Sequence, residues 1–341
     1  MTKTTAPSAA DWNRLYELMA QVKALAPWQW MYESDVFVVR DPQSHEYYFV
    51  SVMGNLGEHL CVAVYLGMRA YTRLLEFAAA GGARGTGEEL LEIRHLQASF
   101  EDREQLTAQD RDTIKELGLK FRGKMAWPLF RSYLAGYAPW HLNAEEARIL
   151  RLALEQLLDV ATRFEADEVD IPDDNKRFLV RVQDEKGEWT DQVMPVPPPA
   201  PESISVDILA AKAESVRRLR RSRNIFEADL LMMPGTVGER GERPQFAYIF
   251  LVVDSQSGMI LAGETLHVTS TFGEMLARIP ELMVDICLKM QGVPGEIHVN
   301  NERLEWLLSS LSSLMDCKIK QTGRLRALET ARHAMLQFFM H

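Results

Sequence analysis

Five arginines crowd seven positions in AESVRRLRRSRN, residues 213–224, and Lys318, Lys320, Arg324 and Arg326 gather near the end of the chain. Fixed cations at this density can pair with phosphate oxygens, and such binding weakens as salt rises. Arg217, Arg218, Arg220 and Arg221, with those four later residues, are therefore candidates for holding an anionic partner. The competing account is a solvated helix face, or a face that meets an acidic protein. A second candidate is LKFRGKMAWPLFRSYLAGYAPW, residues 119–140. Here Lys120, Arg122, Lys124 and Arg131 alternate with Phe121, Trp127, Phe130, Tyr133, Tyr137 and Trp140. Aromatic faces beside cations can stack on bases or clamp a phosphorylated ligand, which makes Lys120, Arg122, Lys124 and Trp127 binding candidates. The plainer account puts the rings in a core under a long loop, with the cations facing water.

Other chemistries find less support. GGARGTG, 81–87, is glycine-rich but lacks the G-K-[ST] ending of a phosphate loop, and Glu88 and Glu89 follow it, where they would repel phosphate. There is no G-x-S-x-G and no H-E-x-x-H. The eight histidines are scattered, none at ligand spacing from Cys or Glu. Cys61, Cys287 and Cys317 form no C-x-x-C, which argues against a disulfide framework or a zinc site and for a reducing compartment, the cytosol.

Charge narrows the partner class. Residues 204–341 hold 16 Lys+Arg and 16 Asp+Glu, so the whole net charge of −10 resides in residues 1–203. A strongly basic nucleic-acid binder is excluded, but a local basic patch on the second half is not. The longest apolar runs, such as CVAVYLGM, are too short to cross a bilayer, so no membrane partner is expected. MTKTTAPSAADW has no apolar h-region, and no signal peptide is expected.

These residues must be positioned by two domains. With 47% apolar and 25% charged residues, a chain of 341 residues can bury two cores. PVPPPAPES, 195–203, reads as a semi-rigid spacer between domains at 1–194 and 204–341. The first half predicts a helix through Trp12, Leu15, Leu18, Met19 and Val22, stopped by Pro27. Strands follow at 36–40, 47–53 and 60–66, then a helix at 68–79, a strand at 96–100 and a polar helix at 103–117. The aromatic stretch 119–140 reads as irregular. Asn143 caps a long amphipathic helix at 144–164, and a hairpin closes the domain by about residue 193. This is an α+β domain with mostly antiparallel strands. The second half predicts a lead-in helix at 206–220 and strands at 228–232, 248–253 and 259–267. A helical region at 271–291 is kinked or restarted at Pro280. A strand at 296–299, a helix at 302–314, a strand at 317–320 and a helix at 325–339 complete a βββαβαβα order. Asn300-Asn301, between strand and helix, has the composition of a helix cap.

That order, with EADLLMMPG, YIFLVVDSQSGMILAGETL, GVPGEIHVNN and GRLRALETARHAM, resembles the ribonuclease-H-like superfamily, integrase and transposase cores above all, over about 225–341. The resemblance implies an α/β domain with a mixed sheet. Its three metal-binding carboxylates fall on Asp229, Asn300 and Glu329. That chemistry flanks a scissile phosphate with two divalent cations, and an Asn in the second position brings no charge to hold them. Separately, PWQWMYESDVFVVRDPQSHEYYFVSVMGNLGEHLCVAVYLG and LGLKFRGKMAWPLFRSYLAGYAPWHLNAEEARIL resemble an uncharacterised bacterial family, a domain of unknown function, over roughly 10–165. The expectation is a cytosolic, non-catalytic binding protein without a cofactor, its partner nucleic acid or another protein. One alternative is a metal-dependent nuclease or strand-transfer remnant that uses Asp229 and Glu329 with Mg²⁺ or Mn²⁺. The other is a protein-interaction module.

Overall fold

The computed structural model describes residues 5–79, 88–199, 204, 208–239 and 241–339. The glycine-rich 81–87 and the end of the proline-rich stretch lie outside them. The described residues form a mixed α/β protein. Contacts divide the chain into two compact units, one of Met1–Ala135 with Pro139–Ala200 and one of Gly136–Ala138 with Pro201–His341.

The first unit opens with α1 (Ala9–Leu25), whose first turn is closed by reciprocal hydrogen bonds between Ser8 and Asp11. It stops at Ala26, in left-handed backbone at φ 55°, just before Pro27. Strands β1 (Phe37–Arg40), β2 (Tyr47–Met53) and β3 (Cys61–Leu66) follow. Next come α2 (Met68–Ala79), α3 (Glu88–Glu92), β4 (His95–Glu101), α4 (Ala108–Glu116), β5 (Trp127–Leu134) and β6 (Tyr137–Trp140), of which Tyr137 and Ala138 are counted with the second unit. Helix α5 (Ala144–Glu165) and the hairpin β7 (Phe178–Gln183)–β8 (Trp189–Met194) complete the series.

Strands of this unit run in the order β5-β4-β3-β2-β1-β7-β8, and every pairing is antiparallel except β1 with β7. Both faces of the sheet are covered. Val50, Val52, Val62 and Val64 join α1 and α5 in one core, while Val38, Phe49, Ala63 and Tyr65 join Tyr71 of α2 in another. That is why CVAVYL is apolar throughout instead of alternating.

Within the irregular-looking 119–140, β5 pairs with β4 from Trp127↔Glu101 to Tyr133↔His95. Pro128, Phe130 and Ser132 point inward and Arg131 and Tyr133 are half-buried. Proline, arginine and serine on a run that is apolar on neither face in isolation hide a strand that its neighbour holds in place. The polar helix expected at 103–117 is a 3₁₀ turn at Arg103–Gln105 followed by α4.

Asn143 caps α5: its side chain accepts the Glu146 N–H at 2.9 Å, and Glu146 accepts the Asn143 N–H at 3.0 Å. Asn143→Ala is expected to cost about 1 kcal/mol. Urea unfolding checks this, with Asn143→Asp close to wild type as the comparison. Farther along α5, Arg148 reaches the fully buried Asp41 at the end of β1.

The second unit contains α6 (Ala210–Arg217), β9 (Arg220–Arg221), β10 (Ile225–Val237), β11 (Gln245–Asp254) and β12 (Ile260–Leu266). Then follow α7 (Phe272–Ala277), α8 (Ile279–Lys289), β13 (Gly292–Val293), β14 (Glu296–Val299), α9 (Glu302–Met315), β15 (Lys318–Gln321) and α10 (Arg326–Phe339). Pro280 sits in the first turn of α8, so the chain restarts there, as a residue without an N–H permits.

The main sheet of this unit has the order β15-β14-β10-β11, with β12 on the outer side of β11. Strand β11 is antiparallel to both β10 and β12, whereas β14 and β15 run parallel to β10. A separate two-stranded pair joins β9 to β13. One face of the sheet, with Phe226, Ala228, Phe250 and Val252, packs on α8 and α9. The other, with Leu231, Ile249, Leu251 and Val253, packs on Leu325, Leu328 and Ala331 at α10.

Candidate functional site

Strand alternation decides which acidic residues share a face. Leu231 of β10 faces α10, so Asp229 and Glu227, two and four residues earlier, face α10 as well. All three are buried. Strand β14 ends at Val299, next to β10, and delivers Asn300 to Asp229: Asn300 Nδ2 donates to Asp229 Oδ2 at 2.8 Å. Asn301 caps α9, its Oδ1 accepting the Leu304 N–H at 2.9 Å.

Glu329 lies in the first turn of α10 and accepts from Arg324 Nε at 3.0 Å. The carboxylate that reaches across to α10 is Glu227. One of its oxygens takes the buried Leu328 N–H at 2.9 Å and the other takes the Ser255 hydroxyl at 3.0 Å. Sequence reasoning passed over Glu227, although its i−2 spacing from Asp229 is the signal that would have found it.

A pair of divalent cations needs acidic oxygens that can turn toward the ions. Asp229 Oδ1 is occupied by the Leu230 N–H at 2.9 Å and Oδ2 by the Asn300 amide. Asn300 Oδ1 accepts from Asn301 Nδ2 at 2.8 Å, so its one uncharged ligand atom is also engaged. Among the described residues, no group of three or more His, Cys, Asp or Glu is arranged to hold a metal ion. This donor set does not fit two metals. Asp254 is a turn residue: its Oδ1 accepts the Gln256 and Ser257 N–H groups and the Ser257 hydroxyl, which hold its carboxyl below the usual range.

The basic candidates of this unit lie on or beside α6, β9, β15 and α10. Arg217 ends α6, and Arg218 pairs with Glu214 at 2.7 Å. Arg220 and Arg221 form β9, and Arg221 pairs with Asp316. Lys318 and Lys320 lie on β15, where Lys320 meets Glu296 at 2.6 Å. Lys320 and then His298 hold the Glu296 carboxyl down at about 2. Arg324 is spent on Glu329, while Arg326 is exposed as the first residue of α10. Beside β9 the surface opens into a groove of about 760 Å³, lined in part by Arg220, Arg221, Arg223, Met259 and Met290.

In the first unit, Lys120, Arg122 and Lys124 are exposed on the loop before β5. The aromatic rings beside them belong to the core. Phe130 is buried, Trp127 meets Phe121 edge-on at 5.8 Å, and both of these pack against the same cluster. Arg103 also lies over the Trp127 ring, 5.9 Å from its centre. Arg131 is committed to Asp110 through a two-pronged pair of 2.6 and 2.9 Å, and His141 approaches the same carboxylate at 3.4 Å. Burial pushes the Asp110 carboxyl up, but His141, Arg131 and Thr107 together overcome it and hold it well below the usual range.

No curated protein matches the chain. Residues 12–181 match the family model "Domain of unknown function (DUF7309)", and residues 212–336 match the family model "Domain of unknown function (DUF6930)".

Proposed function

We propose that residues 204–341 form a ribonuclease-H-like domain that binds a partner and does not cleave one. It is joined by the proline-rich 195–203 to an α+β domain at 1–194. The fold assignment is supported by the order β15-β14-β10-β11-β12, with three antiparallel strands followed by two parallel to the first. The observation that carries the non-catalytic reading is the 2.8 Å hydrogen bond from the Asn300 amide to Asp229. An amide turned this way presents its positive end beside the carboxylate, where a cation would have to sit. The cytosolic setting is supported by Cys61, Cys287 and Cys317, all of which are buried free thiols. Among the described residues, no helix is long and apolar enough to cross a membrane.

Calorimetric titration with Mn²⁺, together with oligonucleotide cleavage assays, tests this reading. Wild type is expected to bind no Mn²⁺ up to about 1 mM, the range of weak protein cation sites, and to cleave nothing. Asn300→Asp replaces a donor by a second carboxylate and is expected to cost about 2 kcal/mol without metal. Mn²⁺ should then recover part of that loss. Saturable Mn²⁺ binding or metal-dependent cleavage by wild type would sink the proposal.

A further inference from the structure

We propose that the groove beside β9 is a docking site for an acidic protein segment that carries apolar side chains. This rests on the reading of the second unit as a binding domain, but not on the state of the Asp229–Asn300 pair. The two places lie toward opposite ends of β14. The groove adjoins the start of β10, where Ile225 pairs with Glu296, whereas Asn300 follows the far end of β14.

Charge complementarity gives the first half of the argument. Arg220 and Arg223 are exposed, and among the described residues neither side chain has an ion-pair or hydrogen-bond partner. Arg221 differs, being tied to Asp316. Two unpartnered guanidinium groups at one concavity offer paired N–H donors that match carboxylate geometry.

Apolar lining gives the second half. Met259 and Met290 are 54% and 39% exposed, and both line the groove over the buried Phe226 and Leu261. Thioether side chains adapt their shape to an apolar ligand. Among the described residues, no exposed aromatic ring lines it, so these residues offer a nucleic-acid base no stacking platform. Asp254 lies in the same groove with its carboxyl held in the charged form. Its oxygens are engaged by Gln256, Ser257 and Asn224, so a single carboxylate can be tolerated nearby. The lining therefore favours a protein segment over nucleic acid.

Fluorescence anisotropy on the full chain tests this, with a short fluorescein-labelled peptide of alternating Glu and Leu as the probe. Saturable binding is expected, with a Kd on the order of tens of micromolar, weakening as NaCl rises. Arg220→Glu with Arg223→Glu should weaken it about tenfold or more. Met290→Ser should weaken it severalfold. On the wild-type protein, replacing each Glu of the peptide by Gln should also weaken binding about tenfold, a control that asks nothing of a variant's folding. The proposal is overturned if wild type gives no saturable binding, or if the Gln peptide binds as well as the Glu peptide. It is also overturned if the double variant, folded by circular dichroism, binds as tightly as wild type, or if an oligothymidine probe binds at least as tightly as the peptide. None of these readings depends on Mn²⁺, so failure here and failure of the non-catalytic reading are separate results.

Discussion

Arg148→Ala is expected to destabilise the protein by about 3–5 kcal/mol, the cost of leaving a buried charge without its partner. Asp41 is fully buried, with a side-chain exposure of 0%, and Arg148 is its cationic partner. The remaining neighbours of Asp41 are the Gln43 N–H, the Ser44 hydroxyl and the Tyr48 hydroxyl, at 2.9, 2.9 and 3.1 Å, and none of these brings a compensating charge. Burial pushes the Asp41 carboxyl up, but Arg148, Gln43 and Ser44 overcome it and hold the value at about 2. A carboxyl depressed in the folded state contributes stability at pH values above its unfolded pKa of about 4, and that contribution is lost as pH falls from about 4 through about 2. The contribution is roughly 2 kcal/mol. Urea midpoints at neutral pH and across this acid window check both statements. The variant should be far less stable at neutral pH and should not show the Asp41 share of the acid loss. Glu145→Ala is the control. Glu145 pairs with the same guanidinium but is 60% exposed, so its loss should cost no more than about 0.5 kcal/mol.

Glu227→Ala should cost about 2–4 kcal/mol and loosen α10 selectively. The carboxylate accepts the buried Leu328 N–H, one of the donors that the first turn of a helix cannot satisfy internally. It also sits where the helix dipole favours negative charge. Removing it strands a buried donor and leaves the Ser255 hydroxyl without that acceptor. Glu227→Gln keeps a carbonyl oxygen and should lose less. Amide hydrogen exchange gives the localised readout: residues 328–335 should exchange faster in the alanine variant, while α1 and α5 should not change. Unaltered protection of α10 would show that Glu227 does not hold the helix.

Periodicity made much of the fold legible. Tyr47–Met53, Glu296–Val299 and the helix behind Asn143 are strands and a helix whose bounds follow from apolar spacing and cap residues alone. Strand β5 was not legible, because Pro128, Arg131 and Ser132 make sense only once β4 lies alongside. The site was half legible. Its strand-end position brought Asn300 to Asp229, and the i−2 spacing puts Glu227 on the same face, but nothing in the local sequence says that Glu227 meets the Leu328 N–H and that Glu329 turns to Arg324. Those are tertiary choices, set by which face of β10 the last helix covers. The aromatic-basic stretch was hard to read for a related reason. Composition cannot distinguish a ring offered to a ligand from one that closes a core, and Phe121, Trp127 and Phe130 close a core.

Strand β15 is the last strand on its side of the sheet, with Lys318, Lys320 and Gln321 exposed. An outermost strand leaves backbone donors and acceptors open to any passing chain, and lysines along it are a common safeguard against sheet-to-sheet association. The two lysines can therefore be read as guards of solubility, whatever else they touch. Neutralising both to probe ligand binding would remove that guard as well. Light scattering should accompany any such measurement, since a rise in aggregation would mimic, in the binding curve, the loss of a contact that was never there.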